Sequence, residues 1–307
     1  NMSRFIKKIL FFTLLILIFF SFFLKVYGRY IDTFYEKFTT PKQYSLILGE
    51  SRALQGINPM VIDSCLKHTK YKLPTYNFAF TIRQAAYGPG YLESLKRKLN
   101  TNSNNQLFIL QVSPWLLANR NPSTLEESDS IFLDEPPHNI LNMTSNPNFE
   151  YLIKNPKFSN FKGFFKKNSK LYKNGYLENN ILPKNKVEFE KWKEKNLFVL
   201  SEFANDWEMS NYRINWLDST ISYLSQYGTV FLVRTPMQKE FLEIENAFWA
   251  DFDSKVRSVA RNNKIRYLNY SKQSEFGFYD GHHLDKYGAK LFSMTLAKDI
   301  IKMSQTK

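Results

Sequence analysis

Five short apolar runs, separated by stretches with helical spacing, constrain the fold of this chain most. Each run is largely apolar along its length, as is typical of strands buried on both faces of a sheet. The runs are residues 44–48, 75–78, 106–112, 228–234 and 265–268. Helical patterns cover residues 58–67, 84–99, 216–227, 241–262 and 286–303. Strands that alternate with helices predict an α/β fold in three layers, with a parallel sheet of about five strands between helices.

The alternation is interrupted between residues 115 and 211, where no strong period is visible. A structureless loop of this length is improbable inside a compact domain, so these residues are predicted to form an inserted helical cap over the edge of the sheet. Residues 151–195 carry 12 Lys against 4 Glu, with aromatic residues interleaved. This composition fits a surface for an anionic partner, or a solvated charged face over core aromatics.

Charge and cysteine content narrow the function classes. The formal net charge of +14 suggests an anionic neighbour such as a phospholipid surface or an acidic glycan, although lysine-rich surfaces also serve solubility alone. No nucleic-acid-binding motif is visible, so a nucleic-acid partner is not predicted. With Cys65 as the one cysteine, a disulfide framework and a cysteine-based zinc site are both excluded.

A charge-free segment, residues 9–24, follows a basic N-terminus that includes Arg4, Lys7 and Lys8. As a helix it would be about 24 Å long, which approaches the bilayer core of about 30 Å. The segment predicts an uncleaved membrane anchor with the remainder on the extracytoplasmic side, and a cleaved signal peptide is the alternative. The predicted organisation is an anchor over residues 1–28, a spacer over 29–43 and one domain over 44–307, with the inserted cap at about 115–211.

A serine directly follows the first strand run, in the sequence Gly49-Glu50-Ser51-Arg52. A serine at a strand-to-helix turn presents its hydroxyl at the start of a helix, where backbone amides have no intrahelical partner. That environment suits a nucleophile whose transition state develops an oxyanion.

A second motif, Asp280-Gly281-His282-His283, lies near the end of the domain. One turn can bring Asp280 and His283 together, and the carboxylate would then orient the imidazole for proton transfer. The loops that follow parallel strands share one edge of the sheet, so Ser51 and His283 are expected to meet. Zinc binding by Asp280, His282 and His283 is the competing interpretation. Adjacent histidines seldom ligate one metal, so neither a metal nor another cofactor is predicted.

Together the two motifs resemble the SGNH (GDSL-type) hydrolase superfamily, over about residues 44–303 without the insertion. The resemblance implies that Ser51 is the nucleophile, His283 the general base and Asp280 its partner. It also implies an oxyanion hole from the Ser51 amide and Asn77, and it places Ser113 where the family's third block stands. This chain has Gly-Glu-Ser in place of Gly-Asp-Ser and lacks the third block's Gly-x-Asn-Asp.

Residues 49–59 are similar to a narrower group, the membrane-anchored proteins of cell-envelope acylation. It includes the D-alanyl-transfer protein of teichoic-acid systems and alginate O-acetylation proteins, which often work beside a multi-pass membrane-bound O-acyltransferase. The resemblance implies transfer or removal of a small acyl group, such as acetyl, on an envelope polysaccharide. Arg52 and Gln55 would position an acidic or hydroxylated substrate in such a protein, or would only pack and cap the turn.

These inferences predict a serine esterase or O-acyltransferase in the cytoplasmic membrane, with its domain on the extracytoplasmic side. Its expected partners are an acylated or acyl-accepting envelope glycan and a membrane-bound O-acyltransferase. The departures from the family's motifs motivate an alternative, in which an inactive SGNH-like scaffold docks the acyltransferase or an acidic glycan.

Overall fold

The computed structural model describes residues 2–31, 34–120, 146–154 and 169–305. The strands are β1 (Ser45–Leu48), β2 (Thr75–Asn77), β3 (Gln106–Gln111), β4 (Ala118–Asn119), β5 (Ser169–Leu171), β6 (Leu177–Asn179), β7 (Glu208–Met209), β8 (Gly228–Arg234) and β9 (Arg266–Asn269). The helices are α1 (Met2–Ile31), α2 (Tyr35–Thr39), α3 (Ser51–Gly56), α4 (Pro59–Leu66), α5 (Pro89–Lys98), α6 (Phe149–Lys154), α7 (Lys186–Asp206), α8 (Asn211–Ser225), α9 (Lys239–Phe248), α10 (Phe252–Asn262) and α11 (Lys286–Gln305).

The main sheet has five parallel strands in the order β2-β1-β3-β8-β9, with helices flanking it. Its centre is β3, which is fully buried and pairs with β1 and β8. The register aligns Leu48 with Leu110 and Leu110 with Leu232, so apolar side chains form continuous rows across the sheet. The predicted α/β fold with about five parallel strands is confirmed, because each apolar run lies within one or two residues of a strand.

Three predicted helices have clearly different bounds in the structure, and one of them is divided in two. The pattern over residues 241–262 predicted one helix, but α9 ends at Phe248 and α10 begins at Phe252. Trp249 leaves helical geometry with φ −143° and ψ 86°, and its indole N–H donates to Asp251. Trp249 and Phe252 on either side of the break are both buried and pack edge to face in the core.

The predicted helix over residues 84–99 starts later, at Pro89. Gly88 before it is fully extended, and a proline at the first helical position has the φ that a helix needs and no amide to leave unpaired. Conversely, the pattern at residues 216–227 starts too late. Helix α8 begins at Asn211, where the Ser210 hydroxyl caps the amide of Arg213.

The described part of the insertion contains α6, α7 and two short antiparallel pairs, β4 with β7 and β5 with β6. Helix α7 packs against α9 through an apolar cluster formed by Trp115, Leu200, Phe203, Met237 and Phe241. The β5–β6 hairpin lies against the end of β2, where the Asn77 amide donates to the Asn174 carbonyl at 2.8 Å. Within the predicted lysine- and aromatic-rich stretch, residues 155–168 lie outside the described residues.

Helix α1 holds an apolar segment, Met2–Val26, that is long enough to cross a membrane, a test that a signal sequence would also pass. Most of this segment is exposed, but Leu24 is buried against Tyr35, Tyr151 and Leu152. Helix α2 falls in the predicted spacer and is itself packed, since Tyr35 stacks on Tyr151 with ring centroids 5.7 Å apart. The end of the apolar helix therefore contacts the folded domain directly.

Candidate active site

Ser51 is the first residue of α3, two residues beyond a glycine that the turn requires. Gly49 has φ +141°, and a Cβ there would lie 2.5 Å from the Gln111 side-chain oxygen. The same oxygen accepts the Glu50 amide at 2.9 Å, which ties the turn after β1 to the end of β3. The first intrahelical bonds run from Ala53 and Leu54 to the Glu50 carbonyl, so the Ser51 amide precedes the hydrogen-bonded part of α3.

The Asp280–His283 loop lies between β9 and α11. One carboxylate oxygen of Asp280 accepts the backbone amides of His282 at 3.0 Å and His283 at 2.7 Å. Gly281 makes this turn with φ +78°, and a Cβ there would lie 2.7 Å from the Phe241 ring. The backbone itself thus holds the carboxylate beside the imidazole that follows it.

The structure brings three of the predicted residues into one hydrogen-bonded chain. Nε2 of His283 lies 2.8 Å from Oγ of Ser51, and Nδ1 lies 2.8 Å from Oδ2 of Asp280. An ionised carboxylate only accepts hydrogen bonds, so Nδ1 carries the proton and Nε2 is left to accept from the serine hydroxyl. This is the arrangement in which a serine is activated for nucleophilic attack.

The electrostatics around Asp280 keep the carboxylate ionised. Burial would raise its pKa, but the His283 charge and the hydrogen bonds from His283 and His282 outweigh burial, and the pKa lies below its ordinary value. Asn196 of α7 adds a further donor, with Nδ2 2.8 Å from Oδ2. Sequence reasoning missed Asn196, because it lies in the insertion and no motif marks it.

His282 is a buried neutral imidazole beside the chain of hydrogen bonds. Its pKa lies well below the ordinary value, chiefly because of burial and also because His283 and Arg52 are close. Its ring packs against Phe241 with centroids 5.2 Å apart, and its Nδ1 has no hydrogen-bond partner among the described residues. No group of three possible metal-ligating side chains occurs within the described residues.

Gln55 reaches the site through an aromatic residue that sequence reasoning did not single out. Its side-chain oxygen accepts the Tyr279 hydroxyl at 2.9 Å. The Tyr279 ring in turn stacks on His283, with centroids 5.6 Å apart and an interplanar angle of 9°. Gln55 therefore holds Tyr279, and through Tyr279 it supports the position of the His283 ring.

Arg52 belongs to a buried ion-pair cluster. Its guanidinium contacts Glu50 at 2.6 Å and Glu245 at 2.8 Å, and Glu245 also accepts from Arg234 at 2.7 Å. Burial would lower the pKa of Arg52, but Glu245 and Glu50 raise it above its ordinary value, so the side chain is charged. These contacts favour the packing role over the substrate-binding role that the sequence left open.

Asn77 and Ser113 are both fully buried. The side-chain amide nitrogen of Asn77, Nδ2, donates to the carbonyls of Ala53 at 2.9 Å and Ile57 at 3.1 Å, so it fastens α3 to β2. Ser113 precedes a short 3-10 helix, and its hydroxyl has no hydrogen-bond partner among the described residues. Neither contact set includes Ser51, and their contribution to an oxyanion hole stays a prediction.

Comparison with known proteins adds little to this geometry. No family model matches the sequence, and no curated protein matches it. Among solved structures, the chain is similar to a carbohydrate acetylesterase from Sinorhizobium meliloti, with 10% identity and a TM-score of 0.40. The alignment covers 85% of this chain and 100% of that one.

Proposed function

We propose that this protein is a membrane-anchored serine esterase or O-acyltransferase of the SGNH type, which acts on small acyl esters of a cell-envelope polysaccharide. The observation that carries the proposal is the unbroken hydrogen-bonded chain from Ser51 through His283 to Asp280. Its residues come from opposite ends of the domain, 232 positions apart for Ser51 and His283. Two sequence motifs that resemble the SGNH blocks supply all three side chains.

In the proposed reaction, Oγ of Ser51 attacks the ester carbonyl while His283 takes its proton at Nε2. The imidazolium is stabilised by Asp280, which is already ionised and held by two backbone amides. The oxyanion develops beside the amide of Ser51 at the start of α3. Collapse of the tetrahedral intermediate breaks the bond to the alcohol oxygen, and His283 returns the proton to the departing alcohol.

The acyl-enzyme is then resolved by a second nucleophile in the same steps. If water attacks Ser51's ester, the products are a carboxylic acid and the free serine, and the reaction is hydrolysis. If a sugar hydroxyl attacks, the acyl group moves to the sugar, and the reaction is transfer. His283 removes the proton from either nucleophile, so one site serves both outcomes.

The N-terminal segment and the net charge of the protein support a location for the proposed reaction. The apolar segment Met2–Val26 supports a single-pass anchor, and the basic residues before it support an extracytoplasmic domain in the cytoplasmic membrane. A net charge of +14 favours an acidic or membrane-proximal polymer as the substrate. A multi-pass membrane-bound O-acyltransferase is the proposed partner that would supply or receive the acyl group.

One observation favours the alternative of an inactive scaffold. The side chain of Asn77, predicted for the oxyanion hole, and that of Arg52, predicted to position the substrate, are both engaged by internal contacts. A site with few donors for the oxyanion is less suited to catalysis. In this second candidate function the domain docks the acyltransferase or an acidic glycan, and replacing Ser51 leaves envelope acylation unchanged.

The test is release of acetate from an O-acetylated polysaccharide by the full-length protein in detergent micelles, with transfer to an added oligosaccharide measured in parallel. We expect Ser51→Ala to abolish both, because Ser51 forms the acyl-enzyme in the proposed reaction. Ser64→Ala is the matched control, since Ser64 is exposed on the next helix. A folded wild-type protein that neither releases nor transfers acetate would overturn the esterase proposal and leave the scaffold, and equal measurable rates for Ser51→Ala and wild type would refute Ser51 as the nucleophile.

A further inference from the structure

The inserted helix α7 contacts the proposed triad through Asn196. Asn196 is half-buried, and its Nδ2 lies 2.8 Å from Oδ2 of Asp280. That oxygen is the one that also accepts from Nδ1 of His283. Because a carboxylate cannot donate, the amide nitrogen of Asn196 must be the atom that faces it. Oδ2 therefore has two side-chain donors that compete for its electron density.

The carboxylate of Asp280 is saturated on both oxygens. Oδ1 accepts the amides of His282 and His283, and Oδ2 accepts His283 and Asn196. Of these four donors, three belong to the Asp280–His283 loop itself and hold the local turn. Asn196 alone comes from a distant part of the chain, 84 residues away. It is thus a direct contact between the insertion and the triad.

Other contacts of the insertion fix α7 in this position. Lys193, one turn before Asn196, pairs with Glu240 of α9 at 2.6 Å. The apolar cluster around Phe203 and Phe241 holds the same two helices together. On the other side of the loop, Asn179 of β6 hydrogen-bonds Tyr279, whose ring stacks on His283. The insertion therefore supports the His283 loop from two directions.

We infer that Asn196 is a positioning residue of the triad, which fixes the Asp280 carboxylate and tempers its attraction for the proton on His283. The inference rests on the proposed function, because it concerns the same site. A hydrogen bond to a carboxylate stabilises its charge and weakens its pull on a neighbouring proton. Without the Asn196 donor, Asp280 would interact more strongly with the imidazolium form of His283, so labelling of Ser51 should require a higher pH.

The titratable and charged groups around Asp280 and His283 come from several elements. Within the loop, Tyr279 and His282 contact His283. From α3, the Arg52 charge acts on His282. From α7, the Lys193 stem lies against Gly281, with its charge paired to Glu240 of α9. A change at Asn196 alters none of these charges, so a shift in pH dependence would report on the Asp280 contact itself.

The experiment measures the second-order rate of fluorophosphonate labelling of Ser51 from pH 5 to 9, with the full-length protein in detergent micelles. For Asn196→Ala we expect the acidic limb of the profile to move up by about half a pH unit or more. For Asn196→Asp, a second carboxylate beside Asp280 should move the limb further in the same direction, by about one unit or more. Asn205→Ala is the matched control, since Asn205 is exposed on the same helix.

The outcomes separate the inference from the proposed function. A lower plateau with an unmoved limb in both Asn196 variants, each with a wild-type melting temperature, would reduce Asn196 to a packing residue and overturn the inference. A limb that moves to lower pH would also overturn it. Labelling that persists in Ser51→Ala would instead refute the proposed nucleophile, whatever the Asn196 variants do.

Discussion

At the scale of single residues, the site depends on backbone positions as much as on the three reactive side chains. Gly49 and Gly281 both have positive φ, and each is packed so closely that a Cβ would lie under 3.0 Å from a neighbour. They shape the two turns that carry Ser51 and His283. The short distance between Nε2 of His283 and Oγ of Ser51 therefore depends on two tight turns at one edge of the sheet.

Gly281→Ala tests this dependence. Its Cβ would meet Phe241 at 2.7 Å and the Gln238 side-chain oxygen at 2.9 Å, in a conformation that favours glycine. We expect a loss of unfolding free energy of about 1–3 kcal/mol, and labelling of Ser51 slowed by roughly tenfold or more as His283 moves away. Gly56→Ala is the control, because its Cβ meets only a Leu284 methyl at 3.2 Å. Equal labelling rates in both variants would contradict this account.

Only some of the residues that form the site could be predicted from the sequence. Ser51, His283 and Asp280 were predictable because each belongs to a short sequence motif, one near the start of the domain and one near its end. Asn196 and Tyr279 were not, since their roles come from tertiary contacts with no local signature. Arg52 was ambiguous for the same reason, because its carboxylate partner Glu245 lies 193 positions away.

At the scale of elements, a buried ion-pair cluster joins the start of α3 to β8 and α9. Arg52 and Arg234 share Glu245, whose side chain is fully buried, and Arg234 also contacts Asp253 of α10 at 2.9 Å. Such a cluster adds little net stability when complete, but losing one member leaves uncompensated buried charge. Here the cluster fixes α3, which carries Ser51, against β8, α9 and α10.

Glu245→Ala is expected to lower the unfolding free energy by about 3–5 kcal/mol, because two guanidinium groups lose their shared carboxylate. Thermal unfolding of the full-length protein in detergent measures this loss. Glu243→Ala serves as the control on the same helix, since Glu243 pairs with Lys239 at the exposed surface and should change stability little. Similar melting temperatures for the two variants would show that the cluster does not hold these elements.

Strands were easier to predict than helices at this scale, for a physical reason. A short buried strand needs only a continuous apolar run, so β8 coincides with its predicted run. Helix ends depend on caps and on tertiary packing. The break between α9 and α10 lies at Trp249, which leaves helical geometry and donates its indole N–H to Asp251, and a helical period over residues 241–262 does not reveal it.

At the scale of the whole molecule, the segment that follows the apolar helix is bound into the domain. Lys37 of α2 is buried and donates to the carbonyls of Asn77 and Ala79 at the end of β2. Lys98 of α5 donates to the Thr40 carbonyl at 2.8 Å. Burial lowers the pKa of Lys98 to about 7, and the pKa of Lys37 lies well below its ordinary value for the same reason, with Lys98 adding to it.

This burial predicts a pH dependence of global stability. Between about pH 7 and 10.5 the unfolded chain binds a proton at Lys98 that the folded chain does not, so stability rises with pH in that window. We therefore expect wild type to gain stability relative to Lys98→Met as pH increases from 7 to 10, measured as melting temperature. Lys96→Met, at a more exposed position of α5, should show no such trend. A constant difference between Lys98→Met and wild type would contradict the prediction.

The central claim, that Ser51 is activated by His283, is tested most directly by fluorophosphonate labelling of the full-length protein. The account predicts that wild type is labelled at Ser51, that Ser51→Ala is not labelled, and that His283→Ala is labelled at a rate lower by a factor of roughly 10³ or more. His68→Ala, an exposed histidine variant, should be labelled like wild type. A folded wild-type protein that is not labelled, or a His283→Ala variant labelled at the wild-type rate, would contradict it.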